Sequence, residues 1–355
     1  MQAMLFYAPG DVRLTQLPPD EAIAPEAGEL IINIETALTC GTDLKCYRRG
    51  HPVLLGKLPS PFGHEFAGTV AAVGQGVTQF KVGDRVTAAN SAPCATCFYC
   101  QQNQFSLCEN LQLLNGAYAE KLRIPAPIVA QNTFKLAPEV SAQTGAFLEP
   151  LAVCLRAVRV LKVTSHLPQH AQVAVLGLGP IGLTLGKCLT AAGYQVTGFG
   201  RNPKKTALAT TFAGIKNVLP LPSDTEDLNA WGKTVRKQQT CASRGFDAVF
   251  EAVGQPFMWQ AAQWLVRPGG VINFFGGCAG GSQVNLDTTR LHYHEVRIRS
   301  LFHHTPQDVA EAARMINQGK IDPSPLITHT VTLHQLAEAF NLMETGQAIK
   351  VAVIP

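Results

Sequence analysis

Residues 173–182 read VAVLGLGPIG. Val173 to Leu176 is a short buried-strand run, and Gly177, Gly179 and Gly182 follow it at once. From Pro180 to about Ala192 the apolar spacing predicts a helix. A G-x-G-x-x-G carries weight only between a strand and a helix, which is its context here. The first glycine permits a tight turn, the second lets backbone approach a pyrophosphate, and the third packs helix on strand. The free amides and partial positive charge of the helix start suit the phosphates. Gly177, Gly179, Pro180, Ile181 and Gly182 are therefore candidate dinucleotide contacts. Further strands are expected at 195–199, 217–221, 247–252 and 271–275, with helical patterns between them. That alternation predicts a parallel sheet with helices on both faces.

In units of this kind that bind NAD, an acidic residue ends the second strand, roughly 20 residues past the motif. Here that strand is Gln195 to Phe199, and the position falls on Gly200. No Asp or Glu occurs from Gly177 to Leu219. Arg201 and Asn202 follow, and Lys204 and Lys205 open the next helix. A guanidinium can hold a phosphate with two hydrogen bonds, and cations at a helix start otherwise oppose its dipole. Gly200, Arg201, Asn202 and Lys205 are candidate contacts for a 2′-phosphate, so NADP(H) is expected over NAD(H).

Upstream, Cys94, Cys97, Cys100 and Cys108 are spaced C-x2-C-x2-C-x7-C. Zinc takes thiolate, imidazole and carboxylate; a structural site uses four protein ligands, and a catalytic site leaves a position open. The four cysteines suit a closed structural site on a projecting loop. A second ligand set is spread over CGTD at 40–43, GHE at 63–65 and FLEP at 147–150. Cys40 and His64 are its firm members, and Glu65 and Glu149 compete for the remaining role. Glu149 sits in an apolar helical pattern over 141–161, just before Pro150, where a carboxylate is costly unless paired or metal-bound.

Around these sites, residues 1–35, 66–88 and 116–136 read as short strands with glycine-rich turns, which predicts a barrel-like sheet. From about His294 the alternation breaks: VRIRSLF reads as a strand, helices are expected at 306–318 and 333–345, and IKVAVIP closes as a strand. The expected fold is α/β: a Rossmann doubly wound parallel sheet over 154–292, inserted in a barrel-like, β-rich catalytic domain formed by 1–153 and 293–355.

A chain of 355 residues is expected to form two domains. A net charge of +4 and the lack of a long basic run argue against a nucleic-acid or anionic-membrane surface. No apolar stretch reaches the ~20 residues that span a bilayer, and MQAMLFYAPG does not read as a signal peptide. The ten cysteines then fit a reducing cytoplasm, with thiolates reserved for metal. Cys46, Cys154, Cys188, Cys241 and Cys278 are expected as small core residues, with Cys46 near the active site because it follows Cys40 closely.

GHEFAG at 63–68 with Gly74, the four-cysteine lobe, GLGPIG and the closing IKVAVIP resemble, in order and over essentially the whole chain, the zinc-containing medium-chain dehydrogenase/reductase family. CGTD and the Glu149-Pro150 pair resemble its polyol and threonine dehydrogenase branch. The resemblance implies a GroES-like catalytic domain, a Rossmann domain, a cleft holding zinc and nicotinamide, and a homodimer or homotetramer. Thr42 matches the hydroxyl residue that takes the alcohol proton. Lys45 stands where many members carry a relay histidine, and Cys46 where sorbitol dehydrogenases carry a tyrosine. His303 and His304 replace that subgroup's Arg-Tyr pair near the substrate, so the substrate is expected to differ from sorbitol. Val253, Phe275 and Lys350 are further candidate cofactor contacts. The expected reaction moves a hydride between the nicotinamide and a secondary alcohol or polyol, or the matching ketone or aldehyde, with zinc as Lewis acid. The alternatives are a threonine dehydrogenase-like oxidation and a nucleotide-binding protein without turnover.

Overall fold

The computed structural model describes residues 1–18, 24–51, 55–239 and 241–355, except for the side chain of Cys241. The chain divides into two compact units, Met1–Val153 with His304–Pro355, and Cys154–His303.

Among the described residues, the first unit carries ten strands before the second begins. They are β1 (Gln2–Ala8), β2 (Asp11–Gln16), β3 (Leu30–Leu38), β4 (Ser60–Pro61), β5 (Glu65–Val73), β6 (Arg85–Ala88), β7 (Ser91–Ala92), β8 (Gln112–Leu113), β9 (Lys121–Ile124) and β10 (Thr133–Lys135). The second unit holds β11 (Gln172–Leu176), β12 (Gln195–Phe199), β13 (Asn217–Leu219), β14 (Phe246–Glu251), β15 (Val266–Phe274) and β16 (Arg297–Ser300). The chain then returns to the first unit with β17 (Ile327–Thr332) and β18 (Lys350–Ile354).

The main sheet of the first unit runs β10-β6-β5-β3-β18-β17, with β9 also on β3. Its central strand β3 reads LIINIETAL, and its apolar residues pack with Phe62, Phe66, Tyr118 and Phe340 in one core. Register matters more for the site than shape. Leu38 at the end of β3 faces Glu65 at the start of β5 and Ala352 of β18. The amide of Thr39 donates to the carbonyl of Val351 at 3.0 Å. Cys40, Glu65 and Lys350, far apart in sequence, are thereby gathered at one end of three adjacent strands.

The second unit is a six-stranded, all-parallel sheet in the order β13-β12-β11-β14-β15-β16. This is the doubly wound dinucleotide-binding order, with β11 at the reversal point. Gly177 follows β11 with φ +98°, and a Cβ there would lie 2.6 Å from Val253 Cγ2.

Three expectations change. Residues 293–303, assigned above to the catalytic domain, belong to the second unit, because β16 pairs parallel with β15 from Val271↔Arg297 to Phe274↔Ser300. The helix expected over 141–161 is two helices, Ala142–Ala146 and Leu148–Ser165. Pro150, which has no N–H to donate, is tolerated in the first turn of the second helix and not in the middle of a longer one. The run expected as strand over 116–136 contains a helix, Ala126–Asn132, entered at Pro125.

Gly177→Ala should cost about 1–3 kcal/mol, the usual range for a residue forced into a sparsely populated backbone region. Denaturant unfolding of the variant checks this, and unchanged stability would contradict the described turn.

Candidate metal and cofactor sites

Cys40, His64 and Glu65 offer ligand atoms that all lie within 4.8 Å of one another. Cys40 caps the helix Gly41–Arg49: its Sγ accepts from the amide of Thr42 at 3.4 Å, and its own amide donates to Asp43 Oδ2 at 3.1 Å. Glu65 is 1% exposed; one carboxylate oxygen pairs with Lys350, while Oε1 is buried and has no hydrogen-bond partner among the described residues. An orphaned buried carboxylate oxygen beside a thiol and an imidazole is what a zinc ligand set presents, so the residues fit the metal.

Glu149 is outside this trio. It is buried in the first turn of its helix, and a ligand atom of His304, in the same unit, lies within 4.8 Å of its own. Burial pushes its carboxyl up, while His64 and Lys350 pull it down and Asp43 raises it. Glu65 is pushed up to about 7 by burial, against the pull of Lys350 and His64, with Glu149 raising it further. The geometry favours Glu65 over Glu149 for the shared role.

Asp43 went unrecognised in the sequence. It is 2% exposed and accepts from His64 Nδ1 at 2.9 Å and from the Tyr118 hydroxyl at 2.6 Å. Burial lowers the basicity of His64, but the charge and hydrogen bond of Asp43 outweigh it and raise its pKa well above the usual value. With Nδ1–H donated to Asp43, Nε2 is the nitrogen that would bind a metal, on losing its proton to the incoming ion. Gly63 has φ +88° and lies against the Tyr118 ring, where a Cβ would come within 2.6 Å. The only sequence signal for Asp43 was its place three residues after Cys40, a capping-box spacing.

Thr42 and Lys45 lie half-buried on the same helix as Asp43. Cys46 is buried near Asp43, His64 and Cys40, its thiol pushed up to about 12 mainly by burial. Cys154 and Cys188 are buried as expected and Cys278 is half-buried; the side chain of Cys241 lies outside the described residues. His303 is half-buried with φ +68°, its ring stacked on Phe302. His304 is buried, with Nε2 3.2 Å from Asn90 Oδ1.

Cys94, Cys97, Cys100 and Cys108 also lie within 4.8 Å of one another. Backbone amides of Cys94, Cys97 and Glu109 donate to sulfurs of this group at 3.2–3.5 Å. Ala95 and Asn103 take positive φ, the tight turns that the ligand spacing demands. The Thr96 hydroxyl and neighbouring amides bring Cys94 down to about 5, and burial pushes Cys100 up to about 12. A dication among the four favours the thiolate in each.

In the second unit Gly177, Gly179, Pro180, Ile181 and Gly182 form the turn from β11 into the helix Pro180–Ala191. A Cβ at Gly179 would meet nothing within 4 Å, leaving room for a ligand, whereas one at Gly182 would lie 1.8 Å from the Gly177 carbonyl oxygen. Val253 packs against Gly177, and Phe275 is half-buried just past β15. Gly200 follows β12, and a Cβ there would sit 3.0 Å from Leu178 Cδ1 and 3.1 Å from Thr206 Cγ2, so packing also asks for glycine. Arg201 is exposed, with its guanidinium donating to the Pro222 carbonyl. Asn202 is spent on the chain itself: its Oδ1 caps the helix Pro203–Thr211 through the Lys205 amide at 3.2 Å. Burial lowers the pKa of Lys205. Lys350 is corrected outright. It is 2% exposed and its ammonium donates to Glu65 and to the Thr39 carbonyl, so it serves the metal site and is not presented to a cofactor.

Removing a partner that orients a metal-bound histidine typically lowers metal affinity about 10- to 100-fold. Asp43→Asn should therefore lose zinc under mild chelation while Cys97→Ser loses the other metal, read as zinc per chain; full retention in Asp43→Asn would contradict its orienting role.

Residues 26–133 match an alcohol dehydrogenase GroES-like domain and residues 180–318 match a zinc-binding dehydrogenase domain. The L-threonine 3-dehydrogenase of Bacillus velezensis is 29% identical, over 92% of this chain and 91% of that protein. The sorbitol dehydrogenase of Bacillus subtilis is 26% identical, over 100% of this chain and 97% of that protein. A zinc-binding dehydrogenase structure from Sinorhizobium meliloti, bound to NADP, superposes with a TM-score of 0.85 at 25% identity, covering 100% of this chain and 99% of that one. The chain belongs to the zinc-type medium-chain dehydrogenases/reductases and is an oxidoreductase acting on alcohols with zinc and a nicotinamide cofactor.

Proposed function

We propose that the protein oxidises a secondary alcohol or polyol, or reduces the matching ketone or aldehyde, using NADP(H) in preference to NAD(H). The observation that carries the catalytic part is the trio of half-buried Cys40 with buried His64 and Glu65, and its orphaned Glu65 oxygen. Those three would hold the catalytic zinc, and Cys94, Cys97, Cys100 and Cys108 a structural one. When bound, zinc supplies Lewis acidity to the substrate oxygen and the nicotinamide supplies or accepts the hydride. Asp43 holds the His64 tautomer, and Lys350 holds Glu65 in place. Thr42 takes the alcohol proton. Lys45, three residues on, lies on the same helix face and is the next polar side chain along it.

The cofactor preference rests on this chain's own residues. Arg201 directly follows Gly200, the position where a carboxylate would meet the ribose, and it is exposed and anchored by a backbone carbonyl. The NADP-bound neighbour agrees but carries little weight alone.

A second reading, oxidation of an amino alcohol, is favoured by the L-threonine 3-dehydrogenase relative at 29% identity. A panel of polyols, secondary alcohols, L-threonine and carbonyl compounds, scored by nicotinamide absorbance, separates the two. Turnover of L-threonine alone would overturn the polyol reading.

We also propose a cytoplasmic homo-oligomer. Strand β16 ends its sheet, and Tyr293, Ile298 and Phe302 are exposed large apolar residues on or near it. An open edge with apolar side chains invites pairing with a second copy. Light scattering should give at least twice the 38.1 kDa of one chain; a monomer mass would refute this.

A charge-assisted hydrogen bond is worth about 1.5–3 kcal/mol. Arg201→Ala should thus weaken NADPH binding roughly ten- to a hundredfold and leave NADH binding nearly unchanged. Tighter wild-type binding of NADH than of NADPH would overturn the preference while leaving the zinc assignments intact. Gly200→Asp is the poorer test, because packing alone resists it.

A further inference from the structure

A cavity of about 630 Å³ lies in the second unit, away from the glycine turn. Arg236, Ser243, Arg244, Arg267, Arg290 and His294 line it. Ser243 and Arg244 lead into β14, and Arg267 is the second residue of β15. The sheet is parallel, so the cavity is at the amino ends of its strands. Gly177 and Gly200 follow the carboxyl ends of β11 and β12, where such folds bind dinucleotides. The cavity is therefore separate from the cofactor site.

Four guanidiniums converge here, and no carboxylate is among the lining residues. Arg267 is balanced by Asp247, its Nε donating to Oδ1 at 2.6 Å. Arg290 is not so balanced. It is 6% exposed, it donates through Nη2 to the Val266 carbonyl at 2.6 Å, and its guanidinium lies over the Trp264 ring. Its Nε is buried with no hydrogen-bond partner among the described residues, and so is Nδ1 of His294. The Asp287 carboxylate accepts from the Arg290 backbone amide at 3.1 Å, and its charge also favours the guanidinium. Burial, then the charge of Arg236, brings the Arg290 guanidinium down to about 10. Buried polar groups are almost always satisfied, and an orphaned one calls for a missing partner.

We propose that this cavity binds a phosphate-class oxyanion, the charged end of a small metabolite, held by Arg290, Arg236, Arg244 and His294. Planar guanidiniums match phosphate oxygens two at a time. The volume lies in the range of small-molecule pockets, about 300–1,000 Å³, and exceeds what a lone inorganic ion fills. The assignment does not depend on the cofactor preference or on the alcohol substrate.

The test is calorimetric titration of the full chain, saturated with zinc and its nicotinamide cofactor so that the glycine turn is occupied. Pyrophosphate and inorganic phosphate are the probes, with citrate as the carboxylate control. One further site per chain is expected, with pyrophosphate the tightest of the three. Arg290→Gln should weaken it at least about tenfold, the loss expected for one charge-assisted contact. Because Arg290 is buried and that variant could unfold, Arg244→Gln, at an exposed position, provides a second arm with the same expected loss. No site beyond the cofactor's, equal affinity in Arg244→Gln, or citrate binding more tightly than pyrophosphate would each overturn the proposal.

Discussion

Burying three carboxylates beside a single ammonium is the constraint on which the first unit depends. Asp43, Glu65 and Glu149 are each at most 9% exposed, and Lys350, 2% exposed, is the one lysine or arginine buried with them among the described residues. Removing an ion from water costs several kcal/mol even after relaxation, and a lone pairing often fails to repay it. Burial prevails at two of the carboxyls, Glu65 rising to about 7 and Glu149 rising as well, whereas at Asp43 burial is outweighed by His64 and the Tyr118 hydroxyl, which hold it below the usual carboxylate range. A dication held by Cys40, His64 and Glu65 would remove that conflict and would give the orphaned Glu65 oxygen a partner.

Sheet register delivers the parts. A one-residue slip turns every side chain of a strand to the other face, so Leu38 opposite Glu65 and Ala352 decides whether the trio and Lys350 meet. The second unit inverts the electrostatics. Its turn at Gly177–Gly182 offers backbone amides and open space, Arg201 waits at the end of β12, and arginines crowd the far edge of the sheet. One unit gathers buried negative charge, and the other gathers positive charge.

Local signals carried much of this into the sequence. The glycine turn, the four-cysteine spacing and the strand-helix alternation each fit within a few dozen residues, and the structure gives them the parallel sheet and the gathered sulfurs expected. What stayed hidden depends on distant pairing. Lys350 looked like a cofactor contact because nothing near IKVAVIP reveals that Glu65, 285 residues away, is its partner. Asp43 could have been a plain cap, since its bond to Tyr118 spans 75 residues. The unit boundary was misplaced for a similar reason: VRIRSLF reads as a strand, but only its pairing with β15 says to which sheet it belongs.

Anomalous scattering from crystals of the zinc-loaded protein, recorded on both sides of the zinc edge, tests the central claim most directly. The account predicts two peaks per chain, one among the four lobe sulfurs and one at Cys40, His64 and Glu65. A single peak at the lobe, with an ordered and metal-free trio, would contradict it.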